Sequence, residues 1–335
     1  MDGLERMDKP RRWPWAVGLV LLIVVAIGSA VWFRAQSPAA PIMIANEQGA
    51  IEVPVVTNEP VSPSVATQAM PEAGITHPSD QTNLTDLSDA KLKPTAPVRL
   101  SEADAYLAAG KKETARETYY EALAAGPDDS LRATIEEKLG RLNAEMIRLP
   151  WPMAEKQDYV VQTNDAIKTI ARKFGTTVEM IVKGNELKRP DIIRPGQRLK
   201  VFTGKMEMVV SKSRHDLLLT ANGRFLKRYR VATGRFEKTP VGTFAVSERI
   251  PEPPWHREDG RIVPFGDKEN ILGSRWMGLK AAGNTPEIKG YGIHGTSDLA
   301  SLGKSESAGC IRLKNEDVEE LFELVPVGTP VVIQE

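Results

Sequence analysis

The sequence predicts a multidomain chain: an N-terminal transmembrane helix, a short α-helical hairpin, a small α+β module and a mainly-β C-terminal domain. Three observations carry this reading. Residues 13–33 hold no charge, residues 157–202 read strand, helix, helix, strand, and from residue 206 alternation of period two replaces helical spacing until Asn315. A chain of 335 residues also exceeds the size at which one core stops growing, so several modules are expected.

The first element is WPWAVGLVLLIVVAIGSAVWF, residues 13–33, which would form a helix of about 31 Å, one hydrocarbon thickness. Trp13, Trp15, Trp32 and Phe33 stand at its ends as interfacial anchors. Arg6, Lys9, Arg11 and Arg12 precede it and only Arg34 follows closely, which places residues 1–12 in the cytoplasm and the rest outside. A signal peptide cleaved near Gly28-Ser29-Ala30 is the alternative, and it too exports the remainder. The membrane, through residues 13–33, is thus one expected partner. The balance of 44 basic against 44 acidic residues gives no field for a polyanion, so nucleic acid is not expected.

Residues 34–100 are rich in Pro, Ser, Thr, Ala and Gln without periodicity and read as a tether, with a mean reach of about 45 Å for a flexible chain of that length. In residues 101–149, Ser101 with Asp104 resembles a capping box, Gly110 and Gly126-Pro127 punctuate, and apolar residues recur at 131, 135, 139, 142 and 146. These features predict a helical hairpin. The stretch AGKKETARETYYEALAAGPDD looks like one tetratricopeptide-type unit; one unit cannot close its own core, so a spacer or docking helix pair is expected.

Residues 157–202 open with the strand Tyr159-Val160-Val161 and return through the turn Pro195-Gly196-Gln197 to a strand ending at Phe202. Between them Ile167, Ile170, Ala171 and Phe174 share one helical face. A second helix begins at Thr176, with Glu179 completing a capping box, and buries Val178, Ile181 and Val182. This order and YVVQTNDAIKTIARKFGTTVEMIVKGNEL…IIRPGQRLKVF resemble a LysM domain, a module that binds N-acetylglucosamine-containing glycans such as peptidoglycan. Thr163-Asn164 stands where that family commonly has a glycine before the Asp, here Asp165.

In residues 206–334 a hairpin turns at Asn222-Gly223, a strand surrounds Phe244-Ala245-Val246, and Asn315 is the expected N-cap of a helix that presents Val318, Leu321 and Phe322 before Pro326. Val331-Val332-Ile333 forms the last strand. Residues 251–269 hold enough turn-formers to read as an irregular loop gating a substrate, with a decorative hairpin as the alternative.

Cys310 is the single cysteine, which rules out an intrachain disulfide and a four-cysteine zinc site. A lone cysteine is ordinarily a small buried hydrophobe. Its neighbours point elsewhere. It lies shortly before the predicted helix N-terminus and next but one to Arg312, both of which favour the reactive thiolate, and His294 supplies a base. Gly309 permits close backbone approach, and the amides of Gly309 and Cys310 are candidate oxyanion donors. His77, His215 and His256 sit in tether or surface-like contexts and are assigned no role.

These residues match the signature of YkuD-type L,D-transpeptidases, a His-Gly followed by Ser-x-Gly-Cys-x-Arg and then Asn. Here they are His294-Gly295, Ser307, Gly309-Cys310, Arg312 and Asn315. The resemblance extends to 232–244, 269–279 and the final PVGTPVVI, with Ala308 where many relatives have His. It implies that Cys310 attacks the carbonyl of the third residue of a peptidoglycan tetrapeptide stem, a diaminopimelate, and expels the terminal D-alanine. His294 would act as base and then acid, with the Gly295 carbonyl fixing its tautomer. Arg312, Ser307, Asn315 and Trp276 would bind substrate or support the loop, and an amine acceptor would take the acyl group without metal or cofactor. Hydrolysis of the same bonds by an L,D-carboxypeptidase or endopeptidase, and a noncatalytic wall-anchoring LysM protein, are the alternatives. The implied location is the cell envelope, membrane-anchored, with the catalytic domain on the periplasmic or wall face.

Overall fold

The computed structural model of the protein describes residues 94–189 and 192–335. The expected membrane helix at 13–33 and the tether as far as residue 93 lie outside the described residues; among the described residues no helix is long and apolar enough to cross a membrane.

Three helices come first: α1 (Ala96–Ala108), α2 (Lys112–Ala124) and α3 (Asp129–Arg148). α1 starts inside the stretch expected to be tether, because Pro97 fits the first helical turn, where its missing N–H costs nothing. Ser101 therefore lies within the helix and is no cap. Asp104 instead accepts from Tyr119 Oη and from Lys138 Nζ, both at 2.6 Å, tying α1 to α2 and α3. Asp128 caps α3 by accepting from the Leu131 amide at 2.8 Å. Ile135, Leu139, Leu142 and Met146 are buried at the expected spacing, and Leu131 packs partly buried against them.

The small module follows as β1 (Lys156–Val160), α4 (Ile167–Phe174), α5 (Val178–Lys183) and β2 (Arg198–Phe202), with β1 and β2 antiparallel and Tyr159 opposite Leu199. Val161, Ile167, Ile170, Ala171, Ile181, Leu199 and Val201 make its core. The cap of α5 is Thr177 rather than Thr176: its side chain accepts from the Met180 amide at 3.0 Å.

The remainder is mainly β: β3 (Met206–Ser211), β4 (Asp216–Ala221), β5 (Arg224–Arg230), β6 (Thr233–Gly234), β7 (Gly242–Pro251), β8 (Trp255–His256), β9 (Ile262–Val263), β10 (Arg275–Ala281), β11 (Gly292–Thr296), β12 (Ser305–Ser307), β13 (Ile311–Lys314) and β14 (Pro330–Gln334), with α6 (Asn315–Leu324) before the last strand. Eight strands form one sheet in the order β13-β11-β10-β7-β14-β3-β4-β5. It is antiparallel except at β11–β13 and β14–β3. Asn222 and Gly223 both take positive φ, 51° and 73°, as a two-residue hairpin turn requires. Ala232, two residues past β5, exchanges backbone hydrogen bonds of 2.9 and 3.0 Å with Arg312 of β13, so the two sheet edges meet and the sheet is nearly a barrel.

Two expectations are corrected here. Residues 251–269 contain the hairpin β8–β9, with Trp255 opposite Val263, in place of an irregular loop; Asn270 Nδ2 fastens it to the Pro253 carbonyl at 2.9 Å. Asn315 is the first residue of α6 rather than its cap, and its Oδ1 accepts from the Ser274 amide at 3.1 Å.

The helical and sheet cores are continuous. Tyr120 Oη donates to the Phe225 carbonyl at 2.6 Å and Asn143 Nδ2 to that of Leu226 at 2.9 Å, so α2 and α3 cover β5 as a docked pair rather than a free spacer. The small module docks through α5 on α6: Thr177 Oγ1 donates to the Glu323 carbonyl, Lys183 pairs with Glu323, and Arg249 pairs with Glu179 at 3.2 Å.

Candidate active site

Strand pairing at one end of the sheet decides which side chains meet. Trp276 of β10 lies opposite His294 of β11, and His294 lies beside Arg312 of β13. Paired residues point to the same face and alternate residues to the other. Met277, Ile293, Ile311 and Leu313 are buried on the face that α6 covers, where a Cβ on Gly295 would come 3.2 Å from Val318. Trp276, His294, Arg312 and, one residue before β13, Cys310 belong to the opposite face. Sixteen positions of chain separate His294 from Cys310, yet the parallel pairing of β11 with β13 brings Cys310, the residue before Ile311, alongside β11.

His294 is 2% exposed and stacks on the Trp276 indole, with ring centroids 5.8 Å apart and planes at 27°. Its Nδ1 lies 2.7 Å from the Gly295 carbonyl oxygen, which assigns the proton to Nδ1 and leaves Nε2 as the acceptor. Burial pushes its pKa down to about 4, with the Arg312 charge adding to the effect and the Gly295 hydrogen bond opposing it. The imidazole is neutral at pH 7.

The Cys310 thiol is half-buried, and Sγ approaches the Gly290 carbonyl at 3.6 Å. Burial pushes its pKa up, while the Gly292 amide and Arg312 pull weakly the other way. The helix N-terminus expected to favour the thiolate does not act here. The four residues of β13 intervene, about 13 Å of strand, and a helix dipole fades within its first turn. At rest the thiol and the imidazole are both neutral, and the thiol faces the Gly290 carbonyl.

The loop before Cys310 is held by two hydroxyls. Ser307 Oγ donates to the Cys310 carbonyl at 2.6 Å and accepts from the Gly309 amide at 3.0 Å. Thr239 Oγ1 donates to the Gly309 carbonyl and accepts from the Gly234 amide, both at 2.7 Å. Gly309 takes φ 141°, and a Cβ there would sit 2.8 Å from the Tyr291 ring. Of the two expected oxyanion donors, the Gly309 amide is therefore committed to Ser307, leaving the Cys310 amide as the candidate.

Arg312 Nε is buried without a hydrogen-bond partner among the described residues. Asn315 sits on the α6 side, bracing the turn that starts β10, and does not share the face of Cys310 and His294. Among the described residues no three His, Cys, Asp or Glu side chains cluster as metal ligands. Thr239, Tyr291, Gly278, Gly292 and Glu248 were not singled out from sequence. Glycine inside a strand marks close approach of another group, and Gly278 and Gly292 carried that signal. Glu248 carried none, since its partner Trp276, whose Nε1 donates to Glu248 Oε1 at 3.1 Å, is 28 positions away.

Two family models match this chain: the L,D-transpeptidase catalytic domain over residues 205–333 and the LysM domain over residues 159–202. A Bacillus subtilis protein named as an L,D-transpeptidase, YqjB, is 39% identical over 131 residues, covering 39% of this chain and 72% of that relative. Another from Bacillus subtilis so named, YkuD, is 32% identical over 182 residues, covering 52% of this chain and 97% of the relative. A solved L,D-transpeptidase structure from Mycobacterium smegmatis aligns at 21% identity and TM-score 0.33, covering 42% of this chain and 64% of that one. One from Mycobacterium tuberculosis H37Rv aligns at 22% identity and TM-score 0.33, covering 42% and 63%. The chain thus spans under two thirds of these two solved structures.

Proposed function

We propose, for a chain that belongs to the L,D-transpeptidase family with a YkuD-type catalytic domain and a LysM domain, that it remodels peptidoglycan stem peptides with Cys310 as nucleophile and His294 as base. The observation that supports the assignment is the parallel pairing of β11 with β13, which pairs His294 with Arg312 and brings Cys310, one residue before β13, alongside β11.

The chemistry follows from the resting state. As Sγ attacks the carbonyl carbon of the third stem residue, its proton passes to His294 Nε2, the ring nitrogen left free by the Gly295 hydrogen bond. Charge develops on the carbonyl oxygen, and the Cys310 amide is the candidate donor to it. Collapse breaks the amide bond; the departing D-alanine amine takes the proton back from His294, leaving an acyl-cysteine. An acceptor amine then attacks, gives its proton to His294, and the thiol is restored with that same proton. Two neutral groups suit this cycle, because no charge has to be held in a desolvated site before substrate arrives. Arg312, whose buried Nε has no partner among the described residues, is suited to hold a substrate carboxylate in place of water. Ser307, Gly309 and Thr239 shape the loop that presents Cys310, Gly295 and Asn315 brace the strand and turn behind His294, and Trp276 holds its ring.

The LysM domain would keep the enzyme on glycan strands. Residues 13–33 would anchor it in the membrane and residues 34–93 would carry the catalytic domain out to the wall, a reading supported by the uncharged 21-residue run and its flanking arginines. Incubation of the purified chain with tetrapeptide-bearing muropeptides, read by mass spectrometry, should give cross-linked products with loss of D-alanine, absent with Cys310→Ala. Turnover by Cys310→Ala within tenfold of wild type would overturn the assignment.

A further inference from the structure

Glu248 of β7, Gly278 of β10, Gly292 of β11 and Cys310 lie in one row across four adjacent strands: Glu248 pairs with Gly278, Gly278 with Gly292, and Cys310 adjoins Gly292 one step before the Ile293–Ile311 pair. At about 4.8 Å per strand, Glu248 and Cys310 are about 14 Å apart at their Cα atoms. The two glycines leave the middle of the row without side chains, and neighbours fill it. The Glu248 methylenes lie over Gly278, where a Cβ would be 2.7 Å from Cγ. The six-membered ring of Trp276 lies over Gly292, where a Cβ would be 2.5 Å from the indole. Glu248 Oε1 accepts the indole N–H at 3.1 Å, and the other indole contact is the stack on His294. The indole is therefore pinned between the base and a carboxylate, and it stands between that carboxylate and the thiol. Glu248 is exposed, and its Oε2 has no partner among the described residues.

We infer that Glu248 is a specificity residue for the acyl donor: its carboxylate binds a positively charged group at the end of the side chain of the residue whose carbonyl is attacked, with that side chain's methylenes lying along Trp276. The inference rests on the reading of Cys310 as nucleophile. Glu248 leans along the row over Gly278, so the span left between its carboxylate and Cys310 is on the order of one extended, lysine-like side chain. An apolar ring edge followed by a carboxylate is the chemistry that recognises methylenes ending in an ammonium. Uncharged side chains of the same length gain the ring and forgo the charge.

The test uses the full chain and two soluble tetrapeptide donors that differ only at the third residue, one ending in a free amine and one in which hydrogen replaces that amine. Acylation of Cys310 is followed by intact mass. Wild type is expected to acylate about tenfold more efficiently from the amine donor, with the difference in KM. Glu248→Gln keeps an acceptor for the indole N–H and removes the charge; it should lower the amine donor to the level of the other and leave kcat within about twofold. Glu248→Lys should reverse the preference toward a donor ending in a carboxylate. Equal efficiency of both donors with wild type, or discrimination retained by Glu248→Gln, would overturn the inference. So would loss of activity in Glu248→Ala with Glu248→Gln unchanged, which would make Glu248 a prop for the indole alone. Failure of wild type to acylate from either donor would instead strike the assignment of Cys310, and this inference with it.

Discussion

The two ends of the sheet differ in what their buried polar side chains meet. At the β5 end, under α2 and α3, Arg116 is 3% exposed and is answered by Glu155 at 2.7 Å and by Asn143 Oδ1 at 2.6 Å, while Asn143 also satisfies two backbone carbonyls. One Glu155 oxygen apart, the group is closed upon itself. At the β13 end, His294 is buried with a backbone carbonyl and an indole, and Arg312 Nε and Ser274 Oγ are buried with nothing. Such atoms cost stability wherever they lie, and Glu155 Oε2 and Asp216 Oδ1 are left so near β5 too; what distinguishes the β13 end is that Arg312 lies beside His294 on one face of the sheet. The β5 end is tied down by a buried ion pair, and the β13 end carries the candidate site.

Breaking the chemical end should cost activity and little stability. Cys310→Ala is expected to lower turnover by at least about 10³-fold, and adding His294→Ala should cost scarcely more, because the pair acts as a unit. The melting temperature of Cys310→Ala should move by no more than a few degrees. Independent, additive losses in activity would point to a different base.

Breaking the structural end should do the reverse. Arg116→Ala leaves Glu155 charged and buried and is expected to cost about 3–5 kcal/mol in urea unfolding. At a temperature where the variant remains folded, its kcat/KM should stay within about threefold of wild type. A large kinetic loss there would show that the two ends are coupled.

Protonation sharpens the contrast. His294 has a folded pKa near 4, below its usual 6.5, so the unfolded chain binds the proton more readily between those values. Its contribution to stability is fully present above about pH 6.5 and is lost as the pH falls toward 4. Urea midpoints measured across that window should decline, and His294→Gln should flatten the decline. Burial of the thiol predicts slow alkylation of Cys310 by iodoacetamide at pH 7, accelerating above pH 9. Fast alkylation at pH 7 would indicate a preformed thiolate.

Smaller effects should follow at the margins. Ser307→Ala unpairs the Gly309 amide and a contact of the Cys310 carbonyl and is expected to lower kcat about tenfold, with partial rescue by Ser307→Thr. Arg141→Ala removes an ion pair whose side chains are 77% and 72% exposed, and stability should change by no more than about 0.5 kcal/mol.

Local patterns were legible in the sequence where one segment decides its own structure. The Asn222-Gly223 turn, the alternation of β3 to β5, the strand-helix-helix-strand order of the LysM domain and the buried stripe of α3 all belong to that class. Features set by distant partners were not. Pro97 starts α1 earlier than the expected cap at Ser101, and Asp104 serves Tyr119 and Lys138 instead. Asn315 serves Ser274, 41 residues away, rather than its own helix. The motif around Cys310 could be read, but its electrostatics could not, because nearness to a helix in sequence says nothing of the strand between them or of the burial that decides the thiol's state.

The most direct test of the central claim is the intact mass of the full chain after incubation with a tetrapeptide stem donor, followed by peptide mapping. An added mass equal to the donor less one D-alanine is expected, carried by the peptide containing Cys310 and absent in His294→Ala. Release of D-alanine with the added mass on another residue, or with none trapped under any quench, would contradict it.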